Sequence, residues 1–269
     1  MNGIDELTAN LRRYYTSLGL QNVDSYVKRR LERDRSKQIV SFIAKKSNVN
    51  FGTASVLDIG SGWGEFLLTL KEIGTSEICG VEPDPELVAI SNLLMGAETA
   101  RQGMAEALPF NSGSFDLVIC HDVIEHVMHC DIALAEMIRV TKVGGTIWLE
   151  FPNYAYPQES HYKTFFPPYL PKSLGALYLR LIGRDPSFYR DNVHPIFYRQ
   201  VMKTINLFNV TWVDVHNDFH GIEHVKSFKA TLKRWYTLFS GPPVSSLLIN
   251  KTDVGLKTAC IEFVKGNPT

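Results

Sequence analysis

Val56-Leu57-Asp58-Ile59-Gly60-Ser61-Gly62-Trp63-Gly64-Glu65-Phe66 is the stretch that decides the fold of this chain. Val56 to Ile59 read as a buried β-strand, the glycines as a tight turn, and Glu65-Phe66 as the start of an amphipathic helix. An α/β protein uses such a unit to bring its backbone against a nucleotide-like ligand. Glycines at 60, 62 and 64 let the chain turn sharply and leave room where side chains would collide. A dinucleotide fingerprint wants a glycine where Glu65 stands, so the spacing here is instead Asp-x-Gly-x-Gly-x-Gly.

Working outward, a second short strand, roughly Ser76 to Val81, ends in Glu82. Gly103-Met104-Ala105-Glu106-Ala107-Leu108-Pro109-Phe110 precedes Phe115 to Cys120, read as a fourth strand. Leu134 to Val140 reads as a helix, and Gly144-Gly145 as a turn feeding a fifth strand that runs to Asn153. In order and in phase, this pattern resembles motif I and the later motifs of the class I S-adenosylmethionine (SAM) methyltransferases. The resemblance covers about residues 50 to 155.

The resemblance implies an α/β fold: a Rossmann-like three-layer sandwich with a seven-stranded, mostly parallel sheet and an antiparallel last strand. Helical N-terminal and insertion segments are added to it. It also implies SAM as cofactor, bound by Asp58, Gly60, Ser61, Gly62, Gly64, Glu82, Pro83, Ala105, Glu106 and His121. In this reading Glu82 accepts hydrogen bonds from the ribose diol, and the loop at Ala105 and Glu106 reads the adenine amine. SAM has no pyrophosphate, so Glu65 at the helix start is tolerated. Trp63 has two readings, along the cofactor's methionine portion or packed beneath the loop. Met104 and Phe110 are expected to be packing residues.

At 269 residues the chain is long enough for one α/β domain with additions and a full core. Its 28 basic and 28 acidic residues cancel, so no global field draws it to nucleic acid or anionic lipid. Cys79, Cys120, Cys130 and Cys260 lack Cys-x-x-Cys spacing, and two fall in or beside expected strands. Reduced structural thiols and a cytoplasmic location follow as expectations. Met1 to Ser17 has charges and no apolar centre, unlike a secretory signal. No segment has the uninterrupted apolar length of a bilayer span.

The expected organisation is a helical N-terminal cap, 1–50, and a SAM-binding domain, 51–269. In the cap, Asp24 is a candidate N-cap, with Tyr26, Val27 and Leu31 at helical spacing. The basic run Lys28, Arg29, Arg30, Arg33 and Arg35 reads as a solvated helix face, with contact to an anionic substrate as the other reading. An insertion at about 152–191, rich in proline and aromatics, is interrupted too often to be one helix or strand. Following the fifth strand, it is placed to wall the acceptor site or to form a small core of its own. A helical insertion at about 218–255 separates strands near 209–216 and 257–265. Its helix, Glu223 to Phe239, presents Val225, Phe228, Leu232, Trp235 and Tyr236 as packing, a lid or a homodimer face.

The chemistry is expected after the fourth strand, at His121-Asp122-Val123-Ile124-Glu125-His126-Val127. On a helical turn, Asp122, Glu125 and His126 share a face. The Glu-His-Val element resembles the ubiquinone-biosynthesis O-methyltransferases. In related enzymes, among them small-RNA 3′-terminal ribose methyltransferases, an acidic-x-x-Glu-His set binds a divalent ion. By that likeness Asp122, Glu125 and His126 form a metal site for Mg²⁺ or Mn²⁺, with His161 or His194 as a fourth ligand. Without a metal, His126 or His161 is the general base and Glu125 an orienting group.

The segment from Pro152 to Tyr162, with Leu179 to Pro186, resembles bacterial methyltransferases of surface-polysaccharide and glycosylation systems. The implied activity is O-methylation of a sugar or glycan-precursor hydroxyl. Two alternatives are O-methylation of a quinone precursor or other phenol, and a non-catalytic SAM-fold partner module. A nucleic-acid acceptor is disfavoured by the neutral charge.

Overall fold

The structure is a computed structural model and describes residues 3–17, 22–159, 161–215, 218–219 and 244–256. Three helices open the chain: α1 (Gly3–Ser17), α2 (Val23–Glu32) and α3 (Asp34–Lys46). Then come β1 (Ser55–Ile59), α4 (Glu65–Glu72), β2 (Glu77–Glu82), α5 (Pro85–Met95), β3 (Ala100–Gln102) and β4 (Phe115–His121). They are followed by α6 (Cys130–Val140), β5 (Thr141–Pro152), β6 (Gln158–Glu159), β7 (Thr164–Phe165) and α7 (Lys172–Leu181). The remaining elements are α8 (Ser187–Asn192), α9 (Tyr198–Ile205), β8 (Phe208–Asp214) and β9 (Val244–Leu256).

Seven strands form one sheet in the order β3-β2-β1-β4-β5-β9-β8, mostly parallel, with β9 and β8 antiparallel to each other. All five residues of β1 are buried, which is why Val56, Leu57 and Ile59 are apolar and Ser55 and Asp58 are its only polar residues. It pairs in parallel with β2, from Ser55 opposite Glu77 to Ile59 opposite Val81, and β2 pairs with β3. The crossover helix α4 buries Phe66, Leu67, Thr69 and Leu70. Asp84 caps α5 through Oδ1, which accepts from Glu86 N–H at 2.8 Å, with Pro85 in the first turn.

The chain divides into two compact units, residues 1–119 with 140–146, and residues 120–139 with 147–269. In the first, Leu7, Leu11, Tyr14 and Tyr15 of α1 and Val27 of α2 cluster with Trp63 and Ile90. Trp63 is thus a packing residue, 1% exposed beneath the N-terminal helices. The basic run is not a uniformly solvated face. Arg33 makes a bidentate pair with Glu72 of α4 at 2.9 and 2.7 Å, and Arg30 lies 3.5 Å from Glu65. Arg33 also joins α2 to α3 with φ 54, a left-handed backbone held by that pair. Asp24 is not the N-cap of α2: Asn22 holds that position with φ 58, a conformation asparagine tolerates. Asp24 instead accepts from Arg12 Nε at 2.6 Å.

In the second unit, the 152–191 stretch has its own core of Tyr154, Phe166, Leu179, Tyr189 and Val193. A β6–β7 hairpin and helices α7 and α8 surround it. Gly175 of α7 lies against Phe166 and Tyr189, where an added Cβ would come within 2.7 Å of the Phe166 ring. The strand paired with β8 is Val244–Leu256, with Leu247, Leu248 and Ile249 buried in that register. Residues 244–256 therefore belong to the sheet rather than to a helical insertion. The expected helix Glu223 to Phe239, the strand at 257–265 and Cys260 lie outside the described residues. Among the described residues, Cys79, Cys120 and Cys130 form no disulfide. Among the described residues, no helix is long and apolar enough to cross a membrane.

Candidate functional site

Beyond β1 the chain turns through Gly60, Gly62 and Gly64 with φ of 69, 52 and 95°, all in the left-handed region. Gly60 and Ser61 N–H both donate to Val81 O, at 2.8 and 3.1 Å, pinning the turn to β2. Space is short at Gly64, where a Cβ would stand 2.7 Å from Ser91 Oγ, and open at Gly62. Glu82, 7% exposed, accepts from Gly62 N–H through Oε2 at 2.9 Å and from Asp84 N–H through Oε1 at 3.1 Å. Burial raises its pKa against the pull of those two bonds. Asp84 is fixed in turn by the Tyr14 hydroxyl, which donates to Oδ2 at 2.7 Å.

The loop expected to face adenine adjoins this carboxylate. Gly103 N–H donates to Glu82 O at 3.1 Å, and Gln102 Nε2 to Pro83 O at 3.1 Å. A Met104–Ala107 bridge closes the turn that carries buried Ala105 and half-buried Glu106. Phe110 packs edge-on against Phe115, whereas Met104 is 50% exposed and is not the packing residue expected of it. Its place in a tight turn leaves its side chain nothing to pack under.

Asp58 is 2% exposed, and its Oδ2 has no partner within the chain. Burial, then the charges of Glu65 and Glu82, raise its pKa well above the ordinary carboxylate range. Ser61 Oγ is likewise buried without a partner. Such groups are costly unless something binds them. Three carboxylates around a glycine turn suit a ligand with positive charge, and SAM carries a sulfonium and an ammonium. The residues present fit that cofactor.

The second unit holds His121, Asp122, Glu125, His126 and His161. Asp122 N–H donates to Glu150 O at 3.0 Å, and Asp122 takes φ 52, so residues 122–126 form a turn rather than a helix. The helical spacing of Asp122, Glu125 and His126 therefore does not apply. Asp122 Oδ2 lies 3.5 Å from His121 Nε2, whose other nitrogen is 3.8 Å from Glu150 Oε2. The groups that do converge are Glu125, His126 and His161, which offer one donor atom each within 4.8 Å of one another. His194 joins this region by its backbone N–H, which donates to Glu125 O at 2.6 Å.

Each imidazole is held by its Nδ1. That of His126 lies 2.7 Å from Asn192 O; a carbonyl only accepts, so the proton is on Nδ1 and the lone pair on Nε2. That of His161 lies 2.9 Å from Glu159 Oε1. Glu159 is fully buried and also receives Tyr154 OH at 2.9 Å and Tyr162 N–H at 2.7 Å. Burial alone would raise its pKa; those hydrogen bonds, His161 first, bring it below the usual value. Glu159 holds the His161 ring through Nδ1. His126 has its pKa lowered, chiefly by burial, so it is neutral near pH 7. Glu125, 1% exposed, has Oε2 unpartnered, and burial, then Asp122, raise its pKa.

The Phe188 ring stands 5.1 Å from that of His161 and 6.0 Å from that of His126, and is 44% exposed. Phe188, Glu159, Asn192 and Asp84 were not singled out from the sequence. Only the Glu159-Ser160-His161 spacing carried a local signal, an acid two residues before an imidazole.

The profile of the family described as "Methyltransferase domain" matches residues 57–149. An uncharacterized methyltransferase of Mycobacterium tuberculosis is 36% identical over 112 residues, covering 40% of this chain and 42% of that protein. The chain thus spans under half the length of that relative. The YcgJ protein of Bacillus subtilis has a similar structure, with a TM-score of 0.53 at 19% identity over 81% of this chain and 99% of that one. A geranyl diphosphate methyltransferase solved with SAM gives a TM-score of 0.50 at 14% identity, over 82% and 85% of the two chains. These two likenesses speak for the fold.

Proposed function

We propose that this chain, which carries a class I SAM-dependent methyltransferase domain, transfers the methyl group to a hydroxyl oxygen of a sugar or glycan precursor. The observation that carries the oxygen acceptor is the His126–His161 pair, each ring anchored at Nδ1 and offering Nε2. An aliphatic hydroxyl must lose its proton to become a nucleophile, and a neutral imidazole in a fixed tautomer, as His126 is, serves that step. Glu159 steadies positive charge on His161, and Phe188 offers an apolar ring beside it for the C–H face of a sugar.

The first unit supplies the cofactor seat: Gly60, Ser61, Gly62 and Gly64 shape it, Asp58 and Glu82 give it charge, and Pro83, Ala105 and Glu106 border it. The reaction is an in-line displacement. The acceptor oxygen bonds to the methyl carbon, the carbon–sulfur bond breaks with its electron pair staying on sulfur, and S-adenosylhomocysteine leaves.

The test is incubation with methyl-labelled SAM and a panel of nucleotide sugars, free sugars and catechols, read by mass spectrometry. Labelled methyl on a sugar oxygen, with turnover cut about 10²–10⁴-fold in His161→Ala, is the expected result. Methylation of the phenols alone would overturn the sugar acceptor. Transfer only to nitrogen or carbon would overturn O-methylation.

A further inference from the structure

Helix α7 is apolar on two faces, and only one of them is covered. Gly175 and Leu179 face inward, buried with Phe166 and Tyr189 in the insertion's own core. Leu174, Leu177 and Leu181 recur at three and four residues, so they share another face, and each is at least half exposed. Ile182 at the end of the helix, and Phe165 and Tyr169 before it, are exposed as well. Of the thirteen large apolar side chains exposed among the described residues, seven lie between 165 and 188. The apolar surface is therefore gathered on this segment rather than scattered, and a gathered patch marks a surface that meets something.

We propose that this face of α7, with Phe165 and Tyr169, rests on an anionic lipid bilayer, the helix lying in the plane of the headgroups. Docking of this kind does not depend on which acceptor is methylated.

Charge selects the occupant. From Lys163 to Arg184 the sequence holds four cations, Lys163, Lys172, Arg180 and Arg184, and no acid. The acids that follow are engaged: Asp185 accepts from Ser187 N–H and O–H at 3.0 and 2.9 Å, and Asp191 pairs with Arg190 at 2.8 Å. Long basic side chains lay their stems along apolar surface while their charged ends reach headgroup phosphates. A second copy of the chain, seated here by a two-fold axis, would gather both sets of cations with no acid of the segment to receive them.

The ten residues of α7 make a helix about 15 Å long, half of what a bilayer core requires. It therefore lies on a membrane rather than across it. The chain's zero net charge does not oppose this, because charges further than about 10 Å from the lipid surface are screened.

The test is co-sedimentation of the full chain with large vesicles of phosphatidylcholine, either alone or with about one lipid in four phosphatidylglycerol. At low salt the wild type should bind the anionic vesicles at least about tenfold more tightly, and about 0.5 M sodium chloride should remove most of that difference. Arg180→Gln with Arg184→Gln should weaken binding roughly 30-fold, about fivefold for each cation removed. Leu177→Asp with Leu181→Asp should weaken it at least about tenfold. Leu93→Asp, which changes an exposed leucine of α5, should leave it as it is. Affinity for S-adenosylhomocysteine should match wild type in both double variants, which shows that they fold.

Binding that is equal on neutral and anionic vesicles, or that survives either double variant, overturns the proposal. Absence of vesicle binding overturns it too, and analytical ultracentrifugation then tells what covers the face. A dimer that Leu177→Asp with Leu181→Asp dissociates would make it an interface between copies of this chain.

Discussion

Glu82→Gln separates a turn brace from a cofactor ligand. In the wild type the carboxylate accepts from Gly62 and Asp84 N–H through different oxygens, at 2.9 and 3.1 Å. Glutamine has one carbonyl oxygen, so it keeps one of these bonds in neutral form. Its amide NH₂ then opposes the other N–H, which is left unsatisfied. Together these changes cost about 2–4 kcal/mol. Glu82 already bears a penalty for its buried charge, shown by its raised pKa, and the neutral amide escapes it. The lower end, about 2 kcal/mol, is therefore expected, a fall of roughly 4–8 °C in Tm for a domain of this size. If the carboxylate also accepts from the ribose diol, S-adenosylhomocysteine loses a charged hydrogen bond of about 1.5–3 kcal/mol, roughly 10–150-fold in Kd. Differential scanning fluorimetry reads the first quantity and calorimetry the second. A lower Tm with Kd within about threefold of wild type would show that Glu82 serves only the turn, and the cofactor assignment would be wrong at its best-defined residue.

The sign reverses at Asp58. Its folded pKa is raised, so its stability contribution is fully present below the unfolded value of about 3.9 and is lost as pH rises through the folded value. Asp58→Asn should therefore melt higher than wild type at pH 7 without ligand and lose that advantage as pH falls towards about 4, while binding S-adenosylhomocysteine more weakly; a lower Tm at pH 7 would contradict the unpaired-charge reading. Gly175→Ala places a Cβ 2.7 Å from Phe166 Cζ and 2.9 Å from Tyr189 Oη. Overpacking of this kind costs about 1–3 kcal/mol, so the Tm should fall while cofactor affinity holds, and an unchanged Tm would show that the insertion's core is loosely packed.

The cofactor half of the molecule was legible because its signals are local. A glycine turn between an apolar strand and a helix needs only neighbouring residues, and positive φ at 60, 62 and 64 is what the glycines announced. The cluster of Glu125, His126 and His161 was not, because its parts meet through the fold. The spacing of Asp122, Glu125 and His126 has meaning only on a helix, and the left-handed backbone at Asp122 removes that helix. His161 reaches His126 from a hairpin 35 residues further along, and Glu159 matters only because Tyr154, Tyr162 and His161 all turn onto it. The strand Val244–Leu256, expected within a helical insertion, was missed for a related reason: it is fixed by pairing with β8 rather than by a local signal.

The buried acids show how the structure divides shape from chemistry. Glu82 has both oxygens taken by backbone N–H, Glu159 accepts from a tyrosine, a histidine and the backbone, and Asp116 accepts from Ser55 and Lys142 Nζ at 2.8 Å. Glu82 and Asp116 tie segments distant in sequence, and Glu159 braces its own hairpin. Asp58 and Glu125 differ: each is almost wholly buried, each has an oxygen unmatched by the chain, and each has its pKa raised by burial and by other acids. Such unpaired acids are costly against a domain's total stability of about 5–15 kcal/mol. Both call for positive charge. At Asp58 the sulfonium or ammonium of the methyl donor would supply it.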